Sequence, residues 1–223
     1  MKNGYGLQLY SVRDSAEQSL DATLKRVAEI GYEFVEFAGF FGNSAADVKA
    51  MLANYGLKCS GTHSPLDDLR PTRIMDTVKY HKELGNPNYI VPGADLSTLE
   101  KIRDFCNVMN YAEPILAAEG IKLGYHNHSK EFCVMPWGST IHSEIEKNTN
   151  MEFEIDTYWA YNAGLDPVKV LERLKNRISV IHLKDGLMGG AGKALGEGTA
   201  PVRDVIATAE KLGFKMVVES ETL

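Results

Sequence analysis

The sequence predicts a (β/α)8 barrel, a TIM barrel in a single domain spanning residues 1–223. Three observations predict it. Eight short apolar runs of strand character recur along the chain, and a helical stretch follows each of the first seven, as in a parallel α/β protein. The units repeat about every 30 residues, the length of one strand and its helix. No Gly-x-Gly-x-x-Gly joins a strand to a helix, which disfavours the alternative of a doubly wound open sheet.

Taken in order, residues 5–9 read as a first strand and 10–13 as a loop. Ser15 is expected to cap a helix reaching Ile30, with Leu20, Leu24, Val27 and Ile30 at helical spacing and Gly31 as its stop. Residues 33–37 form a second strand, a helix over 44–55 ends at Gly56, and 57–62 form a third strand. A helix over 72–84 is broken by Gly85 and Pro87, and strand four, 89–91, closes in Pro92 and Gly93. The longest helix, 97–119, carries Leu99, Ile102, Phe105, Met109, Ala112 and Leu116, with a kink expected at Pro114. Gly120 leads into strand five, which runs from Lys122 into Tyr125, His126, Asn127 and His128. After a loop over 132–139 and a short helix over 141–148, residues 151–156 form strand six. Pro167 suits the first turn of a helix ending near Leu174, and 178–183 form strand seven. A glycine-rich loop, 186–198, precedes a helix over 201–212 and an eighth strand over 214–219. No eighth helix follows Glu219, so a partner or a lost tail is expected to cover that part of the barrel wall.

With 44% hydrophobic and 24% charged residues, the chain has the make-up of an ordinary globular protein with material for a large core. No apolar run approaches the roughly 20 residues that span a bilayer, and the N-terminus lacks a signal-peptide pattern. The expectation is a cytoplasmic protein without a membrane partner. Cys59, Cys106 and Cys133 form no Cys-x-x-Cys pair and read as free thiols. A net charge of −6 with no basic block argues against nucleic acid as a partner.

In a barrel the chemistry collects where strands end. This reading places Gln8, Glu36, His63, His126, His128, Asp156, His182, Lys184, Asp185 and Glu219 there. Taken singly, several have ordinary structural readings: a solvated strand-end charge for Glu36, a satisfied loop histidine for His63, a buried neutral histidine for His182. His126 and His128 lie two residues apart on a strand and so point the same way. Asp156 and Glu219 close strands rich in Ile and Val, where an unpaired carboxylate is costly to bury. Together His126, Asp156, His182 and Glu219 bring two imidazoles and two carboxylates to one mouth. That donor set suits Mn²⁺ or Zn²⁺ better than Mg²⁺ or Ca²⁺, which prefer all-oxygen shells; Co²⁺ and Mg²⁺ stay as lesser alternatives.

The strand endings Glu36, Thr62-His63, Tyr125-His126-Asn127-His128, Ile155-Asp156-Thr157 with Trp159, Ile181-His182-Leu183-Lys184-Asp185 and Val218-Glu219 resemble, in their order and spacing, the xylose isomerase-like barrel superfamily. This is the sugar phosphate isomerase/epimerase group, and the turn at Gly196, Glu197 and Gly198 fits it too. The resemblance covers essentially the whole chain. It implies a metal held at four strand ends, usually by Glu, Asp, His and Glu. Asp156, His182 and Glu219 match in type, whereas His126 stands where the family usually carries Glu. In the family's epimerases two metal-bound glutamates exchange protons at one carbon from opposite faces. Here Glu219 alone remains as a carboxylate base, and His126 or His128 would act opposite it, with an unperturbed imidazole pKa of about 6.5.

The function so implied is a divalent-metal-dependent isomerase or epimerase acting on a small sugar, sugar phosphate or other polyhydroxylated carbonyl compound. Its catalytic residues would be Glu219, His128 and Lys184, with Lys184 holding an oxyanion or a distal hydroxyl. Gln8, Glu36, His63, Trp159 and Asp185 would bind substrate, with Trp159 and Tyr10 facing its apolar side. The loop over 186–198, with Lys193, could close over it. The alternatives are a dehydratase, lyase or hydrolase of an inosose or a 3-keto-glycoside, favoured by His126, and a non-catalytic sugar-binding subunit. A homo-oligomer stays open.

Overall fold

The computed structural model describes residues 4–221, so residues 1–3 and 222–223 of the expected domain lie outside the described residues. The chain forms β1 (Tyr5–Gln8), β2 (Phe34–Ala38), β3 (Lys58–His63), β4 (Asn88–Val91), β5 (Lys122–His126), β6 (Glu152–Asp156), β7 (Ile178–Leu183), a two-strand hairpin of β8 (Asp185–Gly186) and β9 (Gly192–Lys193), and β10 (Lys215–Val218). The eight longer strands pair in parallel and close in the order β1-β10-β7-β6-β5-β4-β3-β2, the predicted barrel. The helices are α1 (Arg13–Gln18), α2 (Leu20–Ile30), α3 (Ala45–Tyr55), α4 (Ile74–Leu84), α5 (Leu99–Ala117), α6 (Ile141–Asn148), α7 (Thr157–Asn162), α8 (Pro167–Leu174) and α9 (Val202–Leu212). No described helix is long and apolar enough to cross a membrane.

Three local departures from the sequence reading have physical causes. The single helix expected from Ser15 is two helices. Ser19 turns extended, at φ −162° and ψ 105°, and its side chain accepts from the Ala22 amide, so it caps α2 in mid-stretch. Strand six does not trail into a loop, because the Asp156 carboxylate accepts from the Trp159 amide at 2.8 Å and starts α7. The glycine-rich loop folds back on itself as the β8–β9 hairpin. α5 runs through Pro114, and among the described residues no helix follows β10.

Most of the apolar core lies between the barrel and its helices, where Tyr89, Tyr125, Phe105, Phe153, Ile155 and Leu171 are fully buried. The lumen is different. Phe34, Val180 and Val217 form a small apolar plug within it. Phe34 fills space that Gly6 leaves open, since a Cβ on Gly6 would sit 2.2 Å from its ring. Two residues further along their strands, on the same face, come Gln8, Glu36 and His182. Glu154 joins them from β6, and none of the four has any solvent exposure. Barrels of this class normally fill these layers with branched aliphatics. This one fills them with charge.

Outside the lumen, His81 on α4 is a second buried imidazole. The Asn86 side-chain amide donates to its Nδ1 at 3.0 Å, with the rings of Tyr80, Tyr89 and Phe40 around it. Burial pushes its pKa down to about 4, because a proton on Nδ1 would face a donor in a dry setting. The folded value lies below the unfolded value of about 6.5. His81 therefore stabilises the fold fully above pH 6.5, and this contribution is lost as pH falls through 4. Chemical denaturation of the wild type should lose about 2 kcal/mol more between pH 7.5 and pH 5 than a His81→Gln variant does. Equal losses in the two proteins would show that His81 does not set this slope.

Candidate metal centre and substrate pocket

The four strand-end residues expected to hold a metal do converge. One donor atom from each of His126, Asp156, His182 and Glu219 lies within 4.8 Å of the others, and all four residues are buried. His182 Nδ1 is 3.2 Å from Glu219 Oε2, and His126 Nε2 is 3.6 Å from Asp156 Oδ2. Neither ring nitrogen of His126 has a hydrogen-bond partner among the described residues, and neither does Asp156 Oδ2. Buried polar atoms in a folded protein are normally paired. Two imidazoles and two carboxylates with such orphaned atoms are what a divalent transition ion would satisfy, so the residues present fit one.

Each side chain is aimed by its local backbone. Asn127 clips β5 to β6, with its Oδ1 accepting from the Asp156 amide at 3.1 Å and its Nδ2 donating to the Asp156 carbonyl at 3.2 Å. Capping α7 uses Asp156 Oδ1 and leaves Oδ2 facing His126. The Thr157 hydroxyl donates to the His182 carbonyl at 2.8 Å and ties α7 to β7. Glu131 accepts from the His128 amide and from the Tyr125 hydroxyl, both at 2.9 Å, which sets where the chain leaves β5. β5 ends at His126, so His128, expected on the same strand, lies just past it, yet the two side chains still meet. Their rings meet edge to face with centroids 4.9 Å apart.

Above this cluster opens a cavity of about 610 Å³. Its walls include Tyr10, Pro65, Pro92, Ala38 and Gly39, and its polar lining is His63, Ser64, His126, His128, Glu219 and Glu221. His128 is partly exposed there, and burial together with the neighbouring His126 lowers its pKa below the ordinary imidazole value. A neutral imidazole at a pocket wall is a group of the kind that can accept a proton. Burial works against the charge on Glu219, but His182, His126 and Lys184 outweigh it and hold the carboxyl well below its usual range.

Several residues expected to touch substrate are placed elsewhere. Gln8 and Glu36 lie in the closed lumen, where the Gln8 amide donates to Glu36 at 3.1 Å, and neither lines the cavity. Asp185 is a loop anchor. Its carboxylate accepts from the amides of Gly186, Gly196, Gly198 and Ala200 at 2.8–3.2 Å. A Cβ on Gly198 would sit 2.1 Å from that carboxylate, so glycine is required there. Lys184 is 2% exposed and outside the cavity lining. Its ammonium is 2.5 Å from Glu221, 3.4 Å from Glu219 and 3.8 Å from Asp156, and lies 4.6 Å from the centroid of the Trp159 ring. Burial opposes its charge, yet Asp156 and Glu219 raise its pKa above the ordinary lysine value. It is therefore a buried cation among carboxylates, set back from the cavity lining. Trp159 stands behind Lys184 and likewise does not line the cavity.

Two acidic residues escaped the sequence reading. Glu221 lines the cavity three residues after β10 ends, and no pattern in the sequence marks it. Glu154 is fully buried beside His63 and His182. It was legible in principle, because it precedes Asp156 by two residues on one strand and must share its face. Glu36, His63, Glu154 and His182 form a second convergent group directly beneath the first. Burial opposes a charge on His63, but Glu36 and Glu154 push its pKa up to about 10.

Comparison with known proteins adds the following. The family model described as "Xylose isomerase-like TIM barrel" matches residues 24–223. An inosose dehydratase of Geobacillus kaustophilus is 23% identical over 197 residues, 74% of this chain. The match covers 61% of that protein, so this chain spans about three-fifths of its curated relative. A sugar phosphate isomerase/epimerase from Parabacteroides distasonis superposes with a TM-score of 0.82 at 27% identity, over 100% of this chain and 88% of that one. A probable 3-DHS dehydratase from Bacillus anthracis shares the fold, with a TM-score of 0.71 at 13% identity over 97% of this chain and 92% of its own.

The Asp185 anchor makes a checkable claim about the loop it holds. Asp185→Ala removes acceptors from four backbone amides and should speed protease cleavage within 187–198 at least tenfold, by roughly 1.5–3 kcal/mol of lost charged hydrogen bonding. Limited proteolysis with mass mapping reads this directly, and an unchanged cutting rate would mean that the loop is held by other contacts.

Proposed function

Because the chain belongs to the xylose isomerase-like TIM barrel family, we propose that it is a divalent-metal-dependent enzyme that moves a proton beside the carbonyl of a small polyhydroxylated substrate, as isomerases and epimerases do. The observation that carries this reading is the buried set His126, Asp156, His182 and Glu219, with its orphaned nitrogens and oxygen, beneath an open cavity. These four residues would hold the ion, with Zn²⁺ or Mn²⁺ suited to the mixed donors. A divalent ion there supplies Lewis acidity toward the substrate carbonyl and so acidifies the neighbouring C–H.

The chain's own groups then divide the work. His128, neutral and at the cavity wall, takes the proton from carbon and returns it. Glu219, the carboxylate at the cavity floor, serves as a ligand and is the second group in reach of the reacting carbon. Lys184 lies beside Glu219, Glu221 and Asp156 and offsets their charge. Tyr10 and the prolines offer an apolar wall to the substrate's C–H face. No Lys or Arg lines the cavity among the described residues, whereas Glu219 and Glu221 do. His63, whose pKa Glu36 and Glu154 push up to about 10, stands in the same lining, so the cavity carries both signs of charge.

A dehydratase is the second reading, supported by the relative that acts as an inosose dehydratase. It begins with the same proton abstraction and differs only in that a hydroxyl then leaves. Ketoses, inososes and keto-glycosides, each with and without phosphate, separate the two by their products. Purified protein should carry about one divalent ion per chain. Chelation should abolish turnover, and Asp156→Ala should abolish metal content. His128→Asn should keep the metal and lower kcat by about 10²–10⁴. Full turnover after thorough chelation would remove the metal from the mechanism, and an undiminished kcat in His128→Asn would remove His128 as the proton carrier.

A further inference from the structure

The His182 ring spans two layers of the lumen. Its Nδ1 faces Glu219 Oε2 at 3.2 Å in the upper cluster. Its Nε2 faces downward, 3.3 Å from Glu36 Oε2 and 3.2 Å from Glu154 Oε2. Both lower carboxylates are completely buried, and ionised carboxylates only accept hydrogen bonds. Nε2 must therefore keep a hydrogen toward them, which leaves Nδ1, on the Glu219 side, as the one nitrogen that can offer a lone pair once an ion is bound. His63 completes the lower layer. Its Nε2 lies 2.9 Å from Glu36 Oε1 and 2.5 Å from Glu154 Oε2, so one imidazole donates into the same two carboxylates that receive His182. The Gln8 amide adds a third donor to Glu36 at 3.1 Å.

We propose that Glu36 and Glu154 are positioning residues for metal capture: they hold the His182 Nε2–H and so present its Nδ1 lone pair to the ion, with His63 bridging the two carboxylates from the cavity side. This rests on the metal reading of His126, Asp156, His182 and Glu219. The rival use of the lower group is as a second cation site, since Glu36, His63, Glu154 and His182 also bring donor atoms within 4.8 Å of one another. A neutral imidazole has one lone pair, so His182 cannot serve both sites at once without losing its remaining N–H proton. The upper group has three orphaned atoms, both ring nitrogens of His126 and Asp156 Oδ2, against one in the lower group, Glu154 Oε1. In the lower group Glu36 and both histidines already have partners. A carboxylate behind a ligating histidine fixes its tautomer and ring orientation, and removing such a partner typically weakens metal binding by about 10–100-fold.

The test uses the full chain stripped of metal and titrated with Zn²⁺ against a chromophoric chelator. Wild type should bind one Zn²⁺ per chain, and Asp156→Ala none. Glu36→Gln, Glu154→Gln and the double variant should still bind one Zn²⁺, with Kd raised about 10–100-fold. A general loss of packing could also weaken binding, so proton NMR supplies the second readout. The His182 Nε2–H proton, identified by its disappearance in His182→Asn, should resonate downfield in metal-free and Zn²⁺-loaded wild type. It should move upfield in the glutamine variants even where melting temperature is unchanged. Wild-type affinity in the double variant would overturn the positioning role and leave the metal reading standing. Two Zn²⁺ per chain, one of them lost in Glu154→Gln, would overturn it in favour of a second site. No Zn²⁺ uptake by wild type would remove both readings together.

Discussion

Glu36, Glu154 and Glu219 all reach a single imidazole, His182, at 3.2–3.3 Å, the first two with no solvent exposure and Glu219 at the cavity floor. Burying that much negative charge unpaired would cost several kcal/mol per group. The barrel tolerates it because its cations are buried with it. His182 and His63 face the lower carboxylates, and Lys184 faces Glu219, Glu221 and Asp156. Most of the strand-end geometry follows from this balance. An aliphatic lumen would be cheaper to fold, so the charged one is readily understood as the cost of a site that handles charge.

The balance would have little chemical value if the strand ends could drift. They are clipped in pairs: Asn127 joins β5 to β6, Thr157 joins α7 to β7, and Glu131 fastens the exit of β5 at His128. Asp156 does two jobs with two oxygens, capping α7 through one and facing His126 through the other. Side chains whose rotamers are held by such contacts offer ligands in a preset geometry, which lowers the reorganisation needed when an ion or substrate arrives. By contrast, the stretch over 187–198 is held by Asp185 and by Tyr158 and Asn162 of α7, and it carries exposed Leu187, Met188 and Leu195.

The cavity reads as two surfaces with different tasks. Its floor presents His126 and Glu219 from the buried cluster, and its walls present Tyr10, Pro65 and Pro92 beside His63, His128 and Glu221. The proposed substrate class, with a hydroxylated edge and a C–H face, is fitted to that division. Lys184 stands among the carboxylates outside the cavity lining, whereas His63 belongs to the lining. The chain shares its fold with the xylose isomerase-like TIM barrel family to which it belongs.

By itself the sequence determined the barrel, because strand and helix periodicities are local properties that repeat at the spacing of a βα unit. It also determined the upper cluster, since strand ends in a barrel must converge and His126, Asp156, His182 and Glu219 all close strands. The split of the first helix at Ser19 and the short helix after Asp156 depended on single capping bonds, which local spacing does not reveal. Only the tertiary structure decided the fates of Lys184, Asp185 and Glu36. Each is a polar strand-end residue by sequence, yet one balances carboxylates, one ties a loop and one lies below the site. Glu154 lay in the pattern at the period of two but gained meaning only when His63 and His182 arrived from other strands. A strand's period tells which face a side chain takes, but its depth in the lumen and its partners across it come from barrel closure and stagger, which no single segment encodes.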